Sequence, residues 1–413
     1  MVRDDVVITG IGAITPVGND RESSWEAMVA GRSGIARITA FDPTEMATQI
    51  AGEVRGFEPS DHFDVKRSRR ISRFTAFAVV AAREAVTDAK LRIDEDNGYR
   101  VGVVVNAAVA GFDTIEAATR RVVADADPSA YFVPYSLANM PSCEVAIDLG
   151  VHGPVNANAL ACASGLYALL DARRLILAGE ADVVICGGTD SAIAPVFMTG
   201  MSTMGALSRS NDDPTRVSRP FDADRDGFVL GEGAVIMVLE SAEHARRRGA
   251  APYAAIKGGA LTCDAFHVSA PSPTGEHTTA AIRTAVQRAG ITPDDIDYVC
   301  AHGTSTKAND STESKALRMA LGAAADQVAV SSPKSTVGHL LAGAGALSAM
   351  VCALSIRDGI VPPTINLDTP DPECDLDYVP NVARQLPVRT AMANAFGFGG
   401  QNCVTVFAAP DRP

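Results

Sequence analysis

Asn156-Ala-Asn-Ala-Leu-Ala-Cys-Ala-Ser-Gly-Leu-Tyr-Ala-Leu-Leu-Asp-Ala-Arg-Arg-Leu-Ile-Leu177 reads as a strand-like apolar run, Asn156 to Ala161, that turns into a helix ended by Gly179, with Cys162 at the turn. A thiol at a strand-to-helix turn sits at the positive end of the helix dipole, which favours thiolate. The small neighbours Ala161, Ala163 and Gly165 leave room for a carbonyl to approach the sulfur. On position alone, a nucleophile and a buried inert cysteine both remain open readings.

Outward from this turn, short β-branched runs alternate with longer helical patterns, which indicates an α/β architecture. The strand candidates are Val6–Thr9, Val101–Val105, Asp182–Cys186, Ala234–Leu239, Ile296–Cys300, Val328–Ser331, Thr390–Asn394 and Val404–Ala408. Their lack of clean alternation suits strands covered on both faces. The order of elements repeats. The strand, Cys162 helix, strand and Gly231-Glu-Gly233 turn of the first half correspond to Val328–Ser331, the helix after Leu340, Thr390–Asn394 and the Gly397-Phe-Gly-Gly400 turn of the second. Two similar layered units joined near Ala250–Tyr253 are therefore expected, and the segments 211–226 and 368–377 read as ordered surface loops.

Of the 413 residues, 47% are hydrophobic and 21% charged, enough apolar material for a large core. A net charge of -13 argues against a nucleic-acid or membrane-surface binder. The eight cysteines are scattered without metal-ligand spacing, so neither disulfides nor a metal are expected. The chain starts directly in a strand-like run and contains no bilayer-length apolar segment, so a cytoplasmic setting is expected.

Three further motifs follow strands, where α/β sheets place their chemistry. They are Ala301-His-Gly-Thr-Ser-Thr306, which leads on to Asp310 and Glu313; Ser331-Ser-Pro-Lys-Ser-Thr-Val-Gly-His339; and Asn394-Ala-Phe-Gly-Phe-Gly-Gly-Gln-Asn402. The last has no downstream helix and is not a dinucleotide fingerprint. One cysteine and two histidines, each beyond a separate strand, point to a shared site rather than to three structural accidents.

With these motifs the chain resembles the β-ketoacyl-(acyl carrier protein) synthases, the condensing enzymes of fatty-acid and type II polyketide synthesis. The resemblance runs in order from Val7-Ile-Thr-Gly-Ile-Gly12 through Leu160-Ala-Cys-Ala-Ser-Gly165 and Ser218-Arg-Pro-Phe-Asp222 to Gly231-Glu-Gly233. It continues through Ala301–Thr306 and Lys334–His339 to the Gly397–Gly400 turn. It implies a thiolase-like fold of two pseudo-symmetric βαβαβαββ halves in an α-β-α-β-α arrangement. Residues 1–252 would carry the cysteine and 253–413 the two histidines. It implies that Cys162 accepts an acyl chain as a thioester, and that the backbone N–H groups of Cys162 and Phe398 form the oxyanion hole. Neutral His302 and His339 would stabilise the enolate left when a malonyl group loses CO2. Lys334 and Glu313 would form an ion pair holding His302, with Asp310 structural beside them. Thr304 and Thr306 would bind the phosphopantetheine arm. No bound cofactor is implied, since the acyl carrier protein brings its own arm.

The chain departs from the family pattern at several positions. Leu160 and Ala395 stand where a threonine and a serine are common. Val109 and Met201 replace the bulkier isoleucine and phenylalanine of many elongating enzymes, implying a differently shaped acyl channel, while Phe398 keeps its gating position. Lys66, Arg69 and Arg70, with Arg67 and Arg73 nearby, form a basic run suited to an acidic carrier protein. A second basic pair is replaced by Ala126 and Asp127. The missing pair, the altered channel and the segment 371–380 favour the ketosynthase subunit of a type II polyketide synthase, paired with a chain-length-factor-like homologue. The alternative is a homodimeric fatty-acid elongation synthase. A degradative thiolase would need a second cysteine in the C-terminal glycine turn, and Cys403 lies beyond it. A non-catalytic chain-length factor would lack Cys162.

Overall fold

The computed structural model describes residues 5–410. Ten strands form its main sheet. They are β1 (Val6–Ile14), β2 (Val101–Asn106), β3 (Val155–Asn156), β4 (Val183–Asp190), β5 (Gly233–Ser241), β6 (Ala254–Cys263), β7 (Tyr298–Cys300), β8 (Ala329–Ser331), β9 (Thr390–Gly397) and β10 (Gln401–Ala408). From one edge the order is β3-β2-β4-β5-β1, and from the other β8-β7-β9-β10-β6. Adding five to each strand of the first series gives the second. The senses agree as well. β2 lies parallel to β3 and β4, while β4–β5 and β5–β1 are antiparallel. β7 lies parallel to β8 and β9, while β9–β10 and β10–β6 are antiparallel. A short antiparallel pairing of Val6–Ile8 with Ala254–Ile256 joins the two series.

The flanking helices repeat in the same way. α1 (Arg73–Asp88) packs on β1 and β5, and α2 (Met140–Leu149) on α1 and β2. Of their counterparts, α4 (Glu276–Ala289) covers β6 and β10 from outside, and α5 (Lys307–Leu321) packs on α4. Between the two sheet halves lie α3 (Ser164–Leu177) and α6 (Ala342–Asp358), packed on each other. This is the layered α-β-α-β-α arrangement of a thiolase-like fold. β1, β4 and β5 are buried along their whole length because helices cover both faces, which accounts for their unbroken apolar sequence. α6 is buried from Ala342 to Ser355, so a Gly/Ala/Leu sequence with no polar face suits it.

Glycine sets the central contact. A Cβ on Gly165 would stand 2.1 Å from the Ala342 carbonyl oxygen, and one on Gly188 2.3 Å from the same atom. The start of α6 is thus wedged between α3 and β4. Two expectations change here. Of the run 156–161 before Cys162 only Asn156 belongs to a strand, β3, because the backbone from Ala157 onward turns to meet Asn106 and Ser164. The segment 211–226 is not wholly a surface loop: Phe221, Asp222 and Arg225 are buried, with Arg225 donating to the Thr306 and Lys307 carbonyls beside the 301–306 loop.

Candidate active site

Cys162 is held by a small polar scaffold. Asn106, at the end of β2, accepts from the Asn158 N–H (2.7 Å) and donates to the Ser164 carbonyl (2.8 Å). The Ser164 hydroxyl accepts from the Leu160 N–H (2.8 Å) and donates to the Ala161 carbonyl (2.7 Å). Ala161 is forced into left-handed backbone at φ 46°, a conformation costing an alanine about 1–2 kcal/mol. The resulting sharp turn delivers the sulfur to the first turn of α3.

The 397–400 turn approaches from β9. A Cβ on Gly397 would lie 2.5 Å from the Leu160 carbonyl oxygen, so only glycine allows this contact. The approach brings the Phe398 N–H to the sulfur, where it and the N–H of Cys162 both favour the thiolate. Burial outweighs them. Desolvation, with the nearby Asp190 carboxylate, pushes the Cys162 thiol up to about 11 despite the charge of Lys334. The thiolate expected from the helix dipole is therefore not the resting form: the dipole acts, but burial of the sulfur penalises the anion more.

His302 follows β7, and His339 precedes α6. Their ring centroids are 5.5 Å apart and nearly perpendicular. Nδ1 of His339 accepts from the Leu341 N–H at 3.2 Å, which leaves the proton on Nε2. Leu341 makes that bond from a left-handed conformation, φ 52°. Nδ1 of His302 is buried without a partner. Burial and the charge of Lys334 hold both imidazoles well below the usual histidine range, so both are neutral.

Glu313, on α5, accepts from the His302 and Gly303 N–H groups, each at 2.8 Å, and from Nδ2 of Asn394 at 3.0 Å. Lys334 donates from Nζ to the His302 carbonyl at 2.6 Å. The two residues do not form the expected ion pair with each other. They grip the same stretch of backbone from opposite directions, because His302 offers both an N–H and a carbonyl there. Asp310 accepts from the Thr304, Ser305 and Phe221 N–H groups at 3.0, 3.2 and 2.9 Å, and Arg225 lies 3.4 Å away. Burial pushes this carboxyl up to about 6.

Cys162, His302 and His339 line one cavity of about 380 Å³, with Thr304, Thr306, Val109, Met201 and Phe398 also in its wall. The Thr304 and Thr306 hydroxyls are 2.9 Å apart. Lys66, Arg69 and Arg70 are not in that wall. Lys66 and Arg69 are exposed, and the Arg70 guanidinium lies 4.1 Å from the centroid of the Tyr131 ring. Their neighbours are committed elsewhere: Arg67 pairs with Glu144 and Asp148, and Arg73 with Glu232. Sequence reading passed over Asn394 and Asp190 as functional positions. The signal available for Asp190 was its place just after Gly187-Gly188, at the end of β4. Among the described residues no helix is long and apolar enough to cross a membrane. No cluster of three metal-ligating side chains occurs among them either.

Known proteins share this fold and much of this sequence. A family model described as Beta-ketoacyl synthase, N-terminal domain, matches residues 3–245, and its C-terminal counterpart matches residues 253–368. Proteins named 3-oxoacyl-(acyl-carrier-protein) synthase 2 from Synechocystis and Staphylococcus aureus are 47% and 46% identical to this chain, each match covering 97% of both chains. Among solved structures, the ishigamide ketosynthase/chain length factor superposes with TM-score 0.91 at 36% identity, over 99% of this chain and 100% of that one. A type II polyketide ketosynthase in complex with its acyl-carrier protein gives TM-score 0.91 at 32% identity, over 98% of this chain and 100% of that one.

Proposed function

The chain belongs to the β-ketoacyl synthase family, and from that premise we propose that it elongates acyl chains by decarboxylative condensation with malonyl-acyl carrier protein. The convergence of Cys162, His302 and His339 on one largely apolar cavity carries this reading. In the first step the Cys162 sulfur attacks the thioester of an acyl carrier. The carbonyl oxygen, briefly anionic, is held by the N–H groups of Cys162 and Phe398. The carrier thiol leaves with the proton that Cys162 gives up, so the exchange needs no net base, and a thiol of high pKa can take part.

In the second step a malonyl carrier enters and its C–CO2 bond breaks. The electron pair moves into the thioester as an enolate. His339, with its proton fixed on Nε2, and neutral His302 donate to the enolate oxygen. A neutral donor suits this task because it stabilises the oxygen without protonating the carbon. The carbanion attacks the acyl–Cys162 carbonyl, a C–C bond forms, the C–S bond breaks, and one proton taken from solvent restores the thiol. Thr304 and Thr306 position the phosphopantetheine arm. Glu313, Lys334 and Asp310 hold the 301–306 loop rather than exchange protons.

The sequence favoured the polyketide-type subunit. The relatives named 3-oxoacyl synthase are nearer in sequence than the polyketide ketosynthases, and this weighs for the alternative, a fatty-acid-type elongation synthase acting as a homodimer in the cytoplasm. Residues 1–252 and 253–413 are its two halves. The free edge of β3, with Val155 38% exposed and Ile147 of the adjoining α2 72% exposed, supports a second copy at that edge. Lys66, Arg69 and Arg70 dock the acidic carrier.

The test is reconstitution with the purified chain, saturated acyl carriers and malonyl carrier, with products read by mass spectrometry. Elongation without any other subunit, with a carrier KM that rises with ionic strength, is expected. Turnover only after a homologous second subunit is added would return the assignment to the polyketide heterodimer.

A further inference from the structure

Asp190, the last residue of β4, is fully buried, yet it receives no task in the steps above. Its partners are backbone N–H groups from two separate segments rather than a cation. Oδ2 accepts from Ala108 at 3.0 Å and from Ala342 at 2.8 Å, and Oδ1 accepts from Val109 at 3.2 Å. One carboxylate therefore ties the loop after β2, which puts Val109 into the acyl cavity, to the first residue of α6, three residues after His339.

The two tied segments differ in what else holds them. Ala342 is wedged by Gly165 and Gly188, and His339 is fixed independently by its N–H to the Val229 carbonyl (2.7 Å) and its carbonyl to the Gly231 N–H (2.9 Å). The 108–110 loop itself carries no such glycine, and its first wedge comes only at Gly111, where a Cβ would lie 2.7 Å from Ser136 Cα. It is half-buried and contains Ala110 in left-handed backbone at φ 56°. Such strain persists only where the surroundings enforce it.

Resting on the condensing reading, we propose that Asp190 is a positioning residue that sets the acyl-chain specificity of the cavity by clamping the Val109 loop against α6. Only a carboxylate fits. Its two acceptor oxygens can take several N–H donors, whereas an asparagine would turn its own NH2 toward them. The clamp serves the acyl half-reaction and leaves the decarboxylating histidines, anchored separately, unaffected.

The test compares wild type, Asp190→Asn and Asp190→Glu in the full chain. It uses intact-mass measurement of acylation across a series of acyl-carrier chain lengths, and CO2 release from malonyl carrier. Asp190→Asn should lose acyl loading by at least about tenfold, the scale of one lost hydrogen bond to a charged group. Its CO2 release should stay within about twofold of wild type. Asp190→Glu keeps charge and acceptors but lengthens the clamp by one methylene, so it should restore loading with a shifted chain-length optimum. If Asp190→Asn fails to fold, the shifted optimum of Asp190→Glu with unchanged CO2 release carries the test. An unchanged chain-length profile in both variants, or an equal loss of loading and CO2 release, would overturn the proposal. No acyl adduct on wild type would instead remove the condensing reading beneath it.

Discussion

At Cys162, opposing effects compete over one proton. The N-terminus of α3 and the N–H groups of Phe398 and Cys162 favour the thiolate, as does Lys334; burial and Asp190 oppose it, and burial wins. The dipole argument, available from sequence, found the residue but assigned the wrong resting state, since the burial of the sulfur depends on segments as distant as 396–402. The sign is testable. A thiol held near 11 is protonated across the neutral range, and its reactive fraction rises with pH. The rate of Cys162 alkylation by iodoacetamide should therefore climb about tenfold per pH unit through pH 9 with no plateau. A plateau at or below pH 8 would mean that the dipole and N–H groups prevail.

Among the elements, most strands were legible because apolar runs bounded by glycine, aspartate and proline report covered strands and their turns, but the ten-residue β6 was missed. The pairing partners were less so. Glu313 and Lys334 were read as an ion pair, but both hold the His302 backbone, a role written in φ/ψ and not in residue identity. The basic run at 66–73 likewise hid two arginines already committed to carboxylates, because Asp148 and Glu232 come from distant sequence. The 397–400 turn shows how an element sets chemistry through one missing atom. Gly397→Ala places a Cβ against the Leu160 carbonyl, and the turn must retreat, drawing the Phe398 N–H away from the sulfur. Acyl transfer should fall about 10²–10³-fold, the usual cost of one oxyanion donor. Overpacking of about 1–3 kcal/mol should lower Tm by a few degrees. Near-normal transfer in the folded variant would exclude Phe398 from the oxyanion hole.

Over the whole molecule, the internal repeat explains why the site lies where it does. Related turns at the ends of β2, β4, β7 and β9 all open toward the starts of α3 and α6, so the duplicated unit brings a cysteine from one half to two histidines of the other. Residue identities do not repeat between the halves, so the sequence hinted at the duplication only through the order of elements. What the fold then supplies is a largely apolar cavity that presents the Cys162 thiol as its nucleophile. Intact-mass spectrometry of wild type and Cys162→Ala, each incubated with acyl-loaded carrier protein, tests that claim most directly. One acyl adduct on wild type and none on Cys162→Ala is the expected result. Adducts on both proteins, or on neither across all chain lengths, would contradict it.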